Sequence, residues 1–503
     1  MLVAPMTTST LARRPVDAPS ARGSAVPSPR RSGSRRGQAA LALATCAAAS
    51  CSPAGRPLDP ARPPTAAGPL RVLATNPRWF TDGSGRAILL TGSHTWANFQ
   101  DMWPGDGPPL ITDYAAYLSF LVRHNHDFFR LWTWEQNGWA AWHHGRWRIQ
   151  PMPYLRTGAD SALDGRPKYD LTRLNPLYFD RLRERVQEAG RMGIYVSIML
   201  FDGFSIEDKD AGGSNPWLGH PFNAANNVNG VDGDPHRHGE GKETQTLQIP
   251  AITRLQEAYV RRVVDAVNDL DNVLYEISNE SHAASGAWQA HMAEYVKRYE
   301  ATKPKQHPVG ITAYYGGRNE DLFTSPADWV SPGENGYATD PPPADGRKVV
   351  LTDTDHECGS CVPAGWVWKS FLRGLNPIFM DPYDRRDAGT NPRDPRWEEE
   401  RRDMGYALTY ATRMPLAVMT PQGDLASSRY CLAHAAARDP AYLVYLPGAG
   451  RSVTVDLTAT PGRLAVEWLV PSSGRVIAAD SVDGGARRSF TPPHHGEALL
   501  YLH

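Results

Sequence analysis

Cysteine is scarce, with five in 503 residues. Cys46 and Cys51 fall in the N-terminal region. The other three, Cys358, Cys361 and Cys431, are an odd set that cannot all pair within the chain. A fold held mainly by disulfides is thereby excluded, although Cys358-Gly-Ser-Cys361 could close a small loop in an oxidising compartment. No second CxxC accompanies that pair, so a structural zinc would lack half its ligands. Net charge is nearly absent as well. Lys+Arg is 53 against an Asp+Glu of 54, a formal charge of −1. That balance argues against nucleic acid as partner and against electrostatic attachment to a membrane. There is no internal repeat and no coiled-coil heptad. The apolar run Ala39 to Ala49 is too short to span a bilayer as a stable helix.

The first 67 residues are present as composition rather than pattern, being rich in Ala, Ser, Pro and Arg with almost no aromatic residues or periodicity. Arg35-Arg36, the apolar run and the small residues up to Ser50-Cys51 have the order of an export signal. Ala48-Ala49-Ser50-Cys51 resembles a bacterial lipoprotein cleavage box with Ala in place of the usual Leu, which would make Cys51 a lipid anchor; a plain cleaved signal is the alternative. The expectation is a secreted, periplasmic or outer-surface protein: export signal over 1–51, disordered linker over 52–68, first domain over 69–418 and second over 419–503.

From Arg71 onward the texture is that of a folded protein. Arg78 to Thr81 and Ala87 to Leu90 read as a hairpin that runs into Thr91-Gly-Ser-His94 as a first strand. Strands then alternate with helical periodicity. Strands are expected at Phe128–Trp134, Ile194–Phe201, Asn272–Asn279, Pro308–Tyr314, Trp329–Pro332, Lys348–Thr354 and Pro377–Met380. Helices are expected at Tyr114–Val122, Leu177–Met192, Ile252–Leu270, Trp288–Tyr299, Val367–Leu375 and Trp397–Arg413. Apolar strands in regular βα alternation imply a parallel sheet covered by helices, and eight such units over this length imply closure into an α/β (β/α)8 TIM barrel. After Met414, short strands divided by Gly, Pro and Asp suggest a small antiparallel β-sandwich.

The most informative stretch is Asn272-Val-Leu-Tyr-Glu-Ile-Ser-Asn279-Glu280, an apolar strand ending in Asn-Glu. A glycosidic oxygen leaves poorly unless it is protonated, and a carboxyl kept neutral at a strand end can protonate it. A second carboxylate about 5–5.5 Å away would complete a retaining pair. The stretch Lys348-Val-Val-Leu-Thr-Asp353-Thr-Asp355-His356-Glu357 supplies candidates, with Asp353 and Asp355 on one face of the strand. Asp353 ranks first, Asp355 second and Glu357 third. A wider, water-filled gap with inversion is the alternative.

These motifs resemble the strand-four and strand-seven signatures of retaining (β/α)8 glycosidases of the cellulase-like clan. The resemblance implies Glu280 as general acid/base, Asn279 as the contact to the sugar 2-hydroxyl, and Arg130, in Phe-Phe-Arg-Leu-Trp, as the residue orienting the nucleophile. It also implies a Glu where this chain has Asp353. Trp79-Phe-Thr-Asp-Gly-Ser-Gly-Arg with Leu-Leu-Thr-Gly-Ser-His-Thr-Trp is similar to the opening of apiosidase-like barrel proteins. Those often end in a β-sandwich of collagen-binding type, similar to residues 430–503. Glycoside hydrolysis of a poly- or oligosaccharide, without a cofactor, is the activity implied.

His94 and Trp96 after the first strand and Tyr314 after the fifth are candidate sugar contacts. Trp217 and Asn223 are further candidates, in the long polar loop between Asp202 and Gln248. Glu276 shares the parity of Glu280 one pleat deeper and needs a buried partner, for which Arg130 is suited. Asp381 and Tyr383 end the eighth strand without an evident role. Asp232 and Asp234 offer too few oxygen ligands for a calcium site. Two rival readings stand beside the hydrolase. One is a metal-dependent barrel hydrolase using His94, Asp353, Asp355, His356 and Asp381, against which the His-x-His usual on strand one is missing. The other is a non-catalytic carbohydrate- or matrix-binding barrel.

Overall fold

The computed structural model describes residues 55–61, 66–209, 211–333, 336–359, 363–384, 395–448 and 452–503. The proposed export signal, Cys46, Cys51 and Cys361 lie outside them. Residues 52–503 form one compact unit. Its centre is an eight-stranded parallel sheet curled into a nearly closed barrel. The strands are β1 (Gly92–His94), β2 (Phe128–Leu131), β3 (Tyr195–Asp202), β4 (Val273–Asn279), β5 (Val309–Thr312), β6 (Trp329–Ser331), β7 (Val349–Asp353) and β8 (Asn376–Met380). The ladder runs β1-β8-β7-β6-β5-β4-β3-β2, each pair parallel. The seam between β1 and β2 is bridged just below the strands. Asp127 donates its backbone N–H to the Thr91 carbonyl at 3.1 Å, and the Thr91 N–H reaches Asp127 Oδ1 at 2.9 Å.

Helices α1 (Tyr114–Arg123), α2 (Pro176–Arg191), α3 (Pro250–Val267), α4 (Gly286–Glu300), α5 (Asn319–Phe323), α6 (Trp366–Leu372) and α7 (Glu398–Arg413) pack outside the barrel. The local reasons are ordinary. Asp113 caps α1 by accepting from the Ala116 N–H at 3.0 Å. Asn175 followed by Pro176 starts α2, with the Asn side chain accepting from Leu177. Alternation divides each strand between two environments. On β4, Val273, Tyr275 and Ile277 face the helices and join their core. Leu274 points inward and meets Phe128, Trp329, Val349, Leu351 and Ile378 in an apolar plug at the barrel's lower end. One pleat higher, the inward residues are charged.

The observed strands and helices fall within a few residues of those expected from the sequence. The strand span read as Phe128–Trp134 ends at Leu131. The expected hairpin is rearranged. Phe80–Thr81 pairs with Arg71–Val72, and only a single bridge joins Phe80 to Ile88. The segment expected as a disordered linker also departs from expectation. Arg56–Pro57 adds an edge strand to the C-terminal sheet, and Leu58 is buried, because that sheet's outer strand offers unpaired backbone groups. An unforeseen three-stranded sheet joins Asp101–Pro104, from the connection after β1, to Gly138–Ala140 and His143–Gln150 from the connection after β2, which also holds a hairpin (Tyr154–Ser161 with Pro167–Leu174).

C-terminal strands β9 (Thr420–Pro421), β10 (Cys431–His434), β11 (Ala441–Leu446), β12 (Val453–Asp456), β13 (Arg463–Val470), β14 (Arg475–Asp483), β15 (Arg487–Phe490) and β16 (Ala498–Leu502) make antiparallel sheets, with β12 and β15 apart from the rest. Val453, Val455 and Phe490 of the small sheet share a core with Val444, Trp468 and Leu500 of the large one. Buried Leu432, Leu443, Leu469 and Leu499 pack instead against Trp366, Phe371, Leu408 and Tyr410 of α6 and α7. The odd cysteine Cys431 is free and buried. Cys358 is disulfide-bonded.

Candidate active site

The upper layer of the barrel centres on Arg130. Its guanidinium is about 1% exposed and meets four side chains through oxygen, with Met199 Sδ as a fifth acceptor at 3.7 Å. Nε and Nη2 grip Glu276 at 2.9 and 2.5 Å. Nη1 bridges Asp353 at 2.8 Å and Asp355 at 3.0 Å. Nη2 also donates to Asn279 Oδ1 at 2.8 Å. The Glu276 pairing is the one its strand parity required. Such a buried charge is stable only because every neighbour is a matched acceptor; the carboxylates hold the guanidinium firmly protonated despite its burial.

Asp353 and Asp355 are treated differently. Asp353 is fully buried and accepts from His94 Nε2 at 2.9 Å, from Arg130, and from the Asp355 backbone N–H at 3.0 Å. Burial pushes its carboxyl up, but the charges of His94 and Arg130 prevail and leave it well below the usual carboxylate range. Asp355, two residues on, keeps 9% of its side chain exposed. Burial and the nearby Asp353 outweigh Arg130 there and raise it to about 6. Glu357 is raised further, to about 9, chiefly by burial, and accepts from Trp366 Nε1 at 3.1 Å, away from Arg130.

Glu280 follows the last residue of β4. Its backbone φ of +43° lies in the left-handed region, where a non-glycine residue is strained. Its carboxyl is pushed well above the ordinary range, first by burial and then by the charge of Asp355. It therefore stays protonated where an isolated glutamate would be ionised. Glu280 lines a cavity of about 320 Å³ with Tyr314, Tyr315, Asn319, Gly333 and His356. Gly317 allows the wall to turn against Tyr314, since a Cβ there would lie 2.4 Å from the tyrosine's own Cβ.

Beside Glu280, Asn279 is level with Asp202 across the β3–β4 ladder. Its Nδ2 donates to Asp202 Oδ1 at 3.3 Å, while its Oδ1 accepts from Arg130 and from His356 Nε2 at 3.1 Å. These three contacts fix the orientation of the buried amide. Asp202, deeply buried, is raised to about 7 by desolvation despite its bond from Ser205.

The structure brings Glu280, Asn279, Arg130, His94, Asp353, Asp355 and Tyr314 to one end of the barrel. Trp96 stands beside them, half-buried, with its Nε1–H on Met380 Sδ at 3.1 Å and its ring against Trp132, Trp134 and Trp142. His94 stacks on Trp132 at 5.5 Å. Trp217 and Asn223 are not brought there. Trp217 is 3% exposed, stacks on His220 and anchors the long loop, where Gly233 and Gly241 press against its ring. Asn223 spends its amide on the Trp217 carbonyl and the Ala225 N–H. Both shape the loop, the outcome usual for Asn in turns. Asp234 likewise accepts from the His238 and Gly239 N–H groups, each at 2.8 Å.

The residues of the metal-hydrolase alternative do not fit a metal together. The ligand atoms of Asp353, Asp355 and His356 lie within 4.8 Å of one another, but the cation between the two aspartates is already Arg130. Both nitrogens of His356 are engaged, Nδ1 with Ser331 Oγ at 2.8 Å and Nε2 with Asn279. Burial drops its pKa to about 3, so the ring is neutral. Asp381 is turned to the helix layer and paired with Arg401 at 2.6 and 2.7 Å. Tyr383 packs there too, on Tyr117 and Phe120.

Sequence reasoning gave no role to Asp202 or Lys209. Asp202 ends an apolar strand as Glu280 follows one, so position alone could have flagged it. Lys209 sits in a polar loop with no spacing signal. Its Nζ nonetheless lies 3.0 Å from the Glu280 carbonyl oxygen.

Residues 116–315 match a family described as a domain of unknown function, DUF6298. No curated protein matches the sequence significantly. Among solved structures, a glycoside hydrolase family 5 protein from Bacteroides vulgatus superposes with a TM-score of 0.54 at 13% identity, over 88% of this chain and 95% of that one. A second structure, described as a glycoside hydrolase, gives 0.53 at 13% identity over 86% and 96%. At such identity the likeness is one of fold.

Proposed function

We propose that this chain is a glycoside hydrolase that cleaves O-glycosidic bonds of a poly- or oligosaccharide by a retaining mechanism with two carboxyl groups. Glu280 is the acid/base and Asp355 the nucleophile. The observation that carries this reading is the contrast between a neutral, cavity-lining Glu280 and an Arg130-bound carboxylate whose charge is felt at Glu280. Environments that push two acids apart suit the division of labour such hydrolysis needs. Asp355 takes precedence over Asp353, which the sequence ranked first, because Asp353 has both oxygens committed inside the barrel and no exposed edge. Asp353 and His94 then hold Arg130, and Arg130 holds Asp355.

In the first step, the Asp355 carboxylate attacks the anomeric carbon while the Glu280 carboxylic acid donates its proton to the departing oxygen. In the second step, ionised Glu280 removes a proton from water as that water displaces Asp355 and restores both groups. Asn279, next to Glu280 and fixed by Asp202, Arg130 and His356, is the contact to the sugar 2-hydroxyl in this reading. The overall likeness to glycoside hydrolases supports the class; export and a lipid anchor at Cys51 complete the proposal and would place the enzyme where polysaccharide is met.

The test is a panel of plant and microbial polysaccharides and aryl glycosides, scored by reducing ends or phenol released. Wild type turns over at least one, and Glu280→Gln loses about 100-fold or more on it, with partial recovery on 2,4-dinitrophenyl glycosides, which need little acid assistance. Undiminished turnover by Glu280→Gln contradicts the assignment.

A further inference from the structure

We propose that Lys209 is a positioning residue for Glu280: its ammonium clamps the Glu280 peptide through the backbone carbonyl and thereby fixes where the side chain of that residue points. This rests on the reading of Glu280 as acid/base. The Lys209 side chain is fully buried, a position costly for an ammonium unless its donors are matched. They are matched by Glu207 Oε1 at 2.7 Å, by the Glu280 carbonyl oxygen at 3.0 Å, and by the face of Tyr315, whose ring centre lies 4.0 Å away. Lys209 itself has φ +51°. Two left-handed non-glycine residues are thus tied together by one hydrogen bond.

The need for a clamp follows from the backbone. Left-handed Glu280 costs roughly 1–3 kcal/mol and persists only where its surroundings over-determine it. One side is closed by Gly203, where a Cβ would sit 2.3 Å from the Glu280 carbonyl oxygen and 2.7 Å from its carbon. Lys209 holds the same carbonyl by attraction. The next residue, Ser281, is held in turn, its carbonyl accepting the Tyr315 N–H at 2.9 Å. Lys209 is itself anchored by Glu207, which keeps a second cation, Lys242, at 2.8 Å.

The charge matters besides the hydrogen bond. Glu280 is faced by Asp355 and Asp202, which favour its protonated form, by Lys209 and Arg130, which oppose them, and by the neutral His356. Lys209 thus limits how strongly the acid is held protonated. That lets Glu280 surrender its proton, and it keeps the carboxylate tolerable in the second step.

The experiment compares wild type with Lys209→Met, Lys209→Arg, Glu207→Gln and Glu280→Gln. Turnover is read on whichever of the 4-methylumbelliferyl glucoside, mannoside, galactoside, xyloside or arabinoside wild type cleaves fastest. The titration of Glu280 is read from its infrared carboxylic-acid band, assigned by its loss in Glu280→Gln. Lys209→Met should lower kcat by about 10- to 100-fold with little change in KM, and should move the Glu280 titration to higher pH. Lys209→Arg should recover part of both, and Glu207→Gln, which removes the anchor of the Lys209 ammonium, should lower kcat by less. Unchanged kcat and an unmoved titration in Lys209→Met overturn the proposal. Should that variant fail to fold, wild-type behaviour of Glu207→Gln overturns it instead. An inactive Glu280→Gln beside an unaltered Lys209→Met removes the clamp alone; a fully active Glu280→Gln removes the acid/base reading beneath it.

Discussion

Asp355 and Glu280 are two carboxyl groups of similar intrinsic acidity that the fold drives to different midpoints. Asp355 is raised to about 6, and Glu280 well above the ordinary range, each first by burial. The proposed mechanism requires Asp355 ionised and Glu280 protonated. The sign follows directly. Acidification through about 6 protonates Asp355, and alkalinisation through the higher Glu280 midpoint deprotonates Glu280. A plot of kcat/KM against pH should be a bell with its acid limb near 6 and its optimum above it. A profile still rising below pH 5 would contradict the assignment of Asp355. At this scale the sequence was partly legible. Glu280 could be found because an apolar strand ending in Asn-Glu is a local pattern. The order of Asp353 and Asp355 could not, because it depends on which carboxylate His94 caps, a contact across 259 residues. Lys209 was invisible for the same reason, since its meaning comes from the neighbours the fold supplies.

The strands and helices carry the site by register. Pairing Asp202 with Asn279 and Met380 with His94 brings strand ends from distant sequence to one rim, and a β4 slipped by one residue would face Glu276 and Glu280 toward the helices. The barrel strands were readable because they are apolar and separated by helices of 3.6-residue period. The sheet and hairpin between Gly138 and Leu174 were not, since His143-His-Gly-Arg-Trp-Arg-Ile-Gln mixes charge and aromatics without clean alternation. Trp217 misled for a related reason: a tryptophan in a polar loop suggests a platform, and this one is the loop's private core. The 3₁₀ turn that follows β3 offers a direct test. Gly203→Ala places a methyl against the Glu280 carbonyl. The variant should fold with wild-type circular dichroism but lose turnover by about 100-fold, and normal activity would show that the Glu280 peptide is not held from that side.

At the scale of the molecule, the barrel and the C-terminal sheets share a hydrophobic layer, so the sandwich completes the burial of α6 and α7. The edge strand at Arg56 ties the start of the described chain into the same sheet. Leu443→Ala, deep in that layer, should cost about 2–5 kcal/mol, read by urea denaturation, with barrel and sandwich still unfolding in one transition. Two separated transitions in wild type would mean that the layer does not couple them.

The proposed mechanism requires Asp355 to form a covalent bond to the sugar. The direct measurement is mass spectrometry of the protein inactivated by 2-deoxy-2-fluoroglycosides bearing a dinitrophenyl leaving group, matched to the sugar it cleaves. One fluoroglycosyl adduct is expected, located by fragmentation on Asp355. An adduct on Asp353 or Glu357, or steady turnover with no adduct, would contradict it.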